Sequence, residues 1–211
     1  MPYDEHPSFV GSTTSLQFTV LDHDKERRAV SELYAVFRRP RNDEDRRAGE
    51  IAARWGALDF GFGDFQPPRP AGMSDEDWKR AQLGNVIESE GRLLLAGLGG
   101  SRDMLYAAPT DNDCIASALL PNGGGGCGVP GPDGLVMGWC QSEDGELVVA
   151  GLVGDSVEAV DLVVGGDTLH ARMGENAFGL RLERTHESRL ERLVLHRGDG
   201  TTNEIPLGPV D

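Results

Sequence analysis

Val160-Asp-Leu-Val-Val-Gly-Gly-Asp-Thr-Leu-His-Ala-Arg-Met-Gly-Glu-Asn-Ala-Phe-Gly-Leu-Arg-Leu182 decides the fold class. Val160, Leu162 and Val164 alternate with Asp161 and Val163. Leu169, Ala171 and Met173 alternate with His170 and Arg172, and Phe178, Leu180 and Leu182 with Gly179 and Arg181. A period of two sends successive side chains to opposite faces, so each run reads as a strand buried on one side, as in an antiparallel sheet. Gly165-Gly166 sits where a two-residue hairpin turn needs positive φ, and Gly174-Glu-Asn176 separates the next pair of runs.

Working outward, the chain from Gly91 onward reads as short β-prone runs with turn residues between them. Strands are expected over Arg92–Leu98, Met104–Ala108, Cys114–Leu119, Leu135–Cys140 and Glu146–Val153. A last hairpin joins Arg189–His196 to Thr201–Ile205 through Gly198-Asp-Gly200. Strands spaced about eight to twelve residues apart predict a β-sandwich or partial barrel.

The front half reads differently. Val30, Leu33, Tyr34 and Phe37 lie at i, i+3, i+4 and i+7, one face of a helix that begins near Lys25 and stops before Pro40. Asn42 or Asp43 starts a second helix with Ala48, Ile51, Ala52 and Trp55 as its apolar stripe, ending at Gly56. The glycines and prolines of residues 58–72 forbid a regular element, and Phe60, Phe62 and Phe65 would pin that loop to the core. Ser74 and Asp77 resemble a capping box for a third helix that buries Trp78 and Ala81. The expected architecture is α+β: N-terminal helices packed on a C-terminal antiparallel β-sandwich or partial barrel. Residues 1–24 form an extended or disordered segment, 25–90 a helical region and 91–211 the β domain.

Composition bounds the function. The 211 residues suit one domain, or a small one plus a sizeable appendage, and Gly 29 with Pro 12 favours many short elements joined by turns. A net charge of −15 argues against nucleic acid and anionic membrane surfaces as partners, because phosphate contacts need a basic face. It is compatible with a solvated surface, cations or a basic protein. The longest apolar runs are strand-sized, so no membrane-spanning segment is expected. Met1-Pro-Tyr-Asp-Glu-His has neither a basic start nor a following hydrophobic region, and read from Met1 the chain is expected in the cytoplasm.

Cys114 and Cys127 bracket Ile115-Ala-Ser-Ala-Leu-Leu-Pro-Asn-Gly-Gly-Gly-Gly126, whose glycine run Gly123–Gly126 reads as a flexible hairpin loop. A disulfide closing a loop of this size would stabilise the fold by about 3 kcal/mol in the loop-entropy model, and its formation depends on the redox compartment. Cys140 makes the cysteine count odd. Either Cys114 or Cys127 as a nucleophile would need a histidine, a cation or a helix N-terminus nearby; the nearest histidines in sequence are His170, His186 and His196, and spacing selects none of them. No Cys/His spacing suits zinc. The glycine run lacks the Gly-Lys-Ser/Thr of a phosphate loop, and no helix can begin at Val129-Pro-Gly-Pro132.

His170 and His196 fall on the polar sides of their strands and read as surface histidines. Asp111-Asn-Asp113 and Ser142-Glu-Asp-Gly145 are acidic turns that could take calcium, although neither fits an EF-hand loop. Arg38, Arg39 and Arg41 are expected to neutralise the helix C-terminus and to pair with Asp43, Glu44 and Asp45.

Several segments resemble a loose group of uncharacterised, mostly extracytoplasmic proteins of actinobacteria and their relatives. They are Leu33-Tyr-Ala-Val-Phe-Arg-Arg-Pro-Arg41, Asp113-Cys-Ile115, Gly125-Gly-Cys-Gly128, Val149-Ala-Gly-Leu-Val-Gly-Asp-Ser-Val-Glu-Ala-Val160 and Asn176-Ala-Phe178. The resemblance implies an extracytoplasmic location and assigns no functional residue. The expected function is a non-enzymatic binding or interaction module for a protein or small ligand. Its rivals are a thiol-dependent or hydrolytic enzyme using a cysteine, and a calcium-stabilised adhesion-type domain. Catalytic, cofactor-binding and metal residues are none, and no cofactor is expected.

Overall fold

The computed structural model describes residues 30–54, 74, 86–98, 103–111, 114–120, 124–128, 130–141 and 146–207. Among the described residues, three α-helices, α1 (Val30–Leu33), α2 (Ala35–Arg38) and α3 (Asp43–Arg54), precede the strands. The first sheet has the order β1-β2-β3-β4, with β1 (Arg92–Ala96), β2 (Met104–Pro109), β3 (Ile115–Leu120) and β4 (Gly124–Gly128). The second has the order β5-β6-β10-β9, with β5 (Val136–Gln141), β6 (Leu147–Leu152), β9 (Arg172–Gly174) and β10 (Ala177–Leu182). The third has the order β12-β11-β7-β8, with β7 (Val157–Val164), β8 (Asp167–His170), β11 (Leu190–Arg197) and β12 (Thr202–Pro206). Every pairing in the three sheets is antiparallel. The fold is therefore β-rich α+β, with helices at the front and antiparallel strands behind.

Alternation along the strands explains how the core divides. On β6, Val148, Ala150 and Leu152 join a cluster with Leu95, Leu105, Ala107, Ile115 and Leu119 of the first sheet. Leu147 and Val149 of the same strand join Val160, Leu162, Leu193 and Leu195 of the third sheet. Both faces of β6 are thus covered, and its six residues are all buried. That double burial is why Leu147-Val-Val-Ala-Gly-Leu152 reads as a continuous apolar run instead of alternating. On the first sheet, Tyr106, Ala118 and Leu120 point the other way and pack with Ala48 and Ala52 of α3.

Three expectations are corrected. The helix over Lys25–Phe37 is broken at Tyr34, whose φ of −131° and ψ of 116° are extended. Tertiary hydrogen bonds outcompete helical continuity here. The Tyr34 hydroxyl donates to the Gly134 carbonyl at 2.5 Å. The amides of Ala35 and Val36 donate to Asp155 Oδ1 at 2.6 Å and to Asn176 Oδ1 at 2.9 Å, so the start of α2 is satisfied from turns distant in sequence.

Second, Leu169–Met173 is not one strand. The chain changes sheets at Ala171, with β8 pairing β7 and β9 pairing β10. Third, the glycine run is not a loop. Gly124–Gly128 is strand β4, in register with β3 from Ile115↔Gly128 to Leu119↔Gly124. Glycine has no strand preference of its own, and the ladder supplied by β3 decides its conformation.

The remaining strands lie within a few residues of their expected places. Gly165 and Gly166 have φ of 56° and 88°, as the hairpin between β7 and β8 requires. The second helix, α3, starts at Asp43 as expected. Its continuation to Trp55 and Gly56, the loop aromatics Phe60, Phe62 and Phe65, and the third helix with Trp78 and Ala81 lie outside the described residues, as does the segment 1–24.

Gly151 shows how closely β5 and β6 approach. A Cβ there would stand 2.4 Å from the Val136 carbonyl oxygen and 2.8 Å from Met137 Cα, both backbone atoms. At Gly138, on β5, a Cβ would meet nothing within 4 Å. Gly151→Ala should therefore destabilise the protein by about 2 kcal/mol or more through overpacking, whereas Gly138→Ala should stay within about 0.5 kcal/mol. Urea denaturation of the two variants checks this, and equal costs would contradict it.

Candidate binding site

The helices meet the first sheet around one carboxylate, Asp45, whose residue has no exposed surface. Asn42 precedes α3, and its Oδ1 accepts from the Asp45 amide at 2.8 Å. Asp45 Oδ2 accepts in return from the Asn42 amide at 2.8 Å, a reciprocal cap. Arg39, placed by the end of α2, grips the same carboxylate with both terminal nitrogens, at 2.5 and 3.0 Å. The Leu93 amide of β1 donates to Asp45 Oδ1 at 2.9 Å. Arg39 Nε also donates to Glu175 Oε2, in the turn before β10, at 2.7 Å.

Burial works against the charge on Asp45, but the hydrogen bonds from Arg39, Asn42 and Leu93 outweigh it and hold its carboxyl below the usual range. The same pairing, led by the Asp45 hydrogen bond, raises the Arg39 guanidinium. Arg92 is buried beside them and donates to the carbonyls of Glu90, Gly91 and Arg39. Burial, followed by repulsion from Arg39 and Arg41, lowers its pKa even though Asp45 opposes the shift.

An open cleft of about 420 Å³ lies against this web, lined by Arg39, Asn42, Glu44, Glu175 and the β1 run Leu93–Ala96. The expected pairing of Arg38, Arg39 and Arg41 with the following acidic run holds only for Arg39 with Asp45. Arg38 pairs with Asp155 at 2.5 Å, and Arg41 donates to the carbonyls of Ser89 and Asp45. Asp43 is bonded by Arg46 instead.

A second polar cluster lies on the third sheet. Asp161 of β7 faces His170 of β8 in register, and His196 of β11 lies two residues beyond Asp161's partner Val194, on the same side. His170 Nδ1 is 2.6 Å from Asp161 Oδ1, and His196 Nε2 is 2.9 Å from Asp161 Oδ2. His170 is exposed, as the sequence suggested, and His196 half-buried, but the two share one buried carboxylate. Burial raises the Asp161 carboxyl, yet the two imidazoles together bring it below the usual range. Period-two alternation placed all three on the polar side; only the register shows that they meet. Among the described residues, no three His, Cys, Asp or Glu side chains are arranged to hold a metal ion.

Cys114 is fully buried, and its amide donates to Thr110 Oγ1 at 3.2 Å. In the β3–β4 register Cys127 stands opposite Ala116, two positions along from Cys114. The side chains of Cys127 and Cys140 lie outside the description, as do Asn112 and Asp113 of one acidic turn and all of Ser142–Gly145 in the other. Among the described residues, no helix is long and apolar enough to cross a membrane.

Two measurements follow from this geometry. Asp45→Asn should cost about 3 kcal/mol at pH 7, because it strips the buried anion from Arg39. Because the folded-state pKa of Asp45 lies below the unfolded one, its contribution is complete above the unfolded value. It disappears as pH falls through the folded value. Denaturant midpoints of the wild type and the variant should therefore converge from about pH 5 downward, and a constant gap would refute the assignment. A thiol count of the denatured chain should give one thiol without reductant and three with it if Cys114 and Cys127 are bonded, and three in both cases if no bond forms.

Compared with protein-family models, with curated proteins and with solved structures, the chain matches none, and its site is read from geometry alone.

Proposed function

We propose that the protein is a non-enzymatic binding or interaction module, in which the three sheets stack as a sandwich and the cleft beside β1 receives the ligand. The cleft itself carries the reading: it is open, it runs along a strand at the end of its sheet, and its polar groups are already fixed in place. Asp45 accepts four hydrogen bonds and Arg39 donates to two carboxylates. Such groups present a rigid surface, and pre-organisation lowers the ordering cost of binding. A nucleophile or general base would instead need an uncommitted, reachable lone pair.

The thiol-enzyme alternative gains no support from Cys114, whose side chain has no solvent contact. A hydrolytic alternative would centre on Asp161 with His170, since that pair orients an exposed imidazole.

Amide NMR spectra of the whole chain, titrated with a mixed set of short peptides, should show shifts concentrated at Leu93–Ala96 and Glu175. Ala96→Trp, at an exposed position lining the cleft, should abolish those shifts without lowering the melting temperature. Turnover of an ester, amide or disulfide substrate that Asp161→Asn or Cys114→Ser abolishes would sink the proposal.

A further inference from the structure

We infer that the cleft takes a basic, extended segment of another protein, with a lysine or arginine side chain seated against Glu44 and Glu175. This rests on the cleft being the binding site, as proposed above, and adds the chemistry of its occupant.

Three observations carry it. The first is charge. The lining contains one cation, Arg39, and two carboxylates, Glu44 and Glu175, with the Asp45 carboxylate directly behind. Arg39 is held by Asp45 through both terminal nitrogens and by Glu175 through Nε, so its charge is matched within the protein. Glu44 is exposed, and Glu175 keeps 44% of its side chain exposed while bonded to Arg39. Behind the lining, Asp45 is offset by the buried Arg92 and by Arg41, both of which donate to backbone carbonyls, so the negative excess is confined to the lining itself, where two carboxylates face one cation.

The second is the shape of the lining. Four consecutive residues of β1, Leu93–Ala96, form one side. Four strand residues span about 10 Å between the first and last Cα, the reach of an extended segment of similar length. Leu93 is only half-buried, so it offers apolar surface to the aliphatic stem of a lysine or arginine whose charged end reaches the carboxylates.

The third is the field of the whole chain. A net charge of −15 accelerates encounter with basic partners and repels acidic ones. A phosphate-bearing ligand would meet carboxylates in the cleft and the same repulsion outside it.

The test uses the full chain labelled for amide NMR and three eight-residue peptides of alternating alanine with lysine, glutamate or serine. Spermine serves as a small-amine control. The lysine peptide should shift Leu93–Ala96, and its affinity should fall several-fold between 20 and 200 mM salt, as expected for screened charges. Glu44→Gln, an exposed change in the first turn of α3 that removes the charge without placing a cation at the helix N-terminus, should weaken the binding by about tenfold and lower the melting temperature only slightly.

If the glutamate or serine peptide shifts those amides and the lysine peptide does not, the cleft remains a binding site and the basic partner is overturned. If spermine binds as tightly as the lysine peptide, the occupant is a small amine and the inference fails. If no peptide shifts Leu93–Ala96, the inference and the reading beneath it both fail.

Discussion

The Asp45 carboxylate is the interaction on which the front of the molecule depends. It accepts two hydrogen bonds from Arg39, one from the Asn42 amide and one from the Leu93 amide. One buried group therefore caps α3, fixes the chain leaving α2 and ties both to β1. A carboxylate can be buried at such a place only because its oxygens are saturated and its charge is matched; otherwise burial would cost several kcal/mol. The cleft inherits its rigidity from this arrangement, since Arg39, Asn42 and Leu93 are at once partners of Asp45 and part of the cleft lining.

A related principle governs the broken helix. The amides that begin α2 are satisfied by Asp155 and Asn176, which lie in turns of the β region. Asn176 holds φ at 55°, a conformation that asparagine tolerates better than most residues. Its Nδ2 also donates to the Val153 carbonyl and to Asp155, so the two capping residues brace each other. Helical segments of four residues do not persist alone in water; these exist because the sheets supply their hydrogen-bond partners. The buried Tyr34 hydroxyl, whose pKa burial raises, is part of the same docking.

What the sequence discloses follows from the range of the forces involved. Strand identity is local: alternation marked β7, β8 and β10, and short β-prone runs between turn residues marked most of the others. Register and sheet membership are not local. The switch at Ala171 was hidden because Leu169, Ala171 and Met173 keep a single alternation across two sheets. The glycine strand was hidden for the opposite reason, since glycine carries no pattern and takes the conformation its neighbour imposes. At the site, the start of α3 was legible from Asn42 and Asp43, and a link between Arg39 and Asp45 could be expected from their proximity. Glu175, 136 positions from Arg39, could not. Nor could the meeting of His170 and His196 on Asp161, which depends on how three strands align.

The switch at Ala171 also bears on how the molecule holds together. Only one residue separates β8, in the third sheet, from β9, in the second, and its amide is bonded to the Val160 carbonyl of β7. So short a connection leaves no slack: a fluctuation that peels β8 away must drag β9 from β10 as well. The two sheets are coupled mechanically as well as by the apolar cluster between them, and partial opening of either is suppressed by the other. The polar groups resting on them, the Asp161 cluster on one and the Glu175 turn on the other, therefore share a single frame of reference.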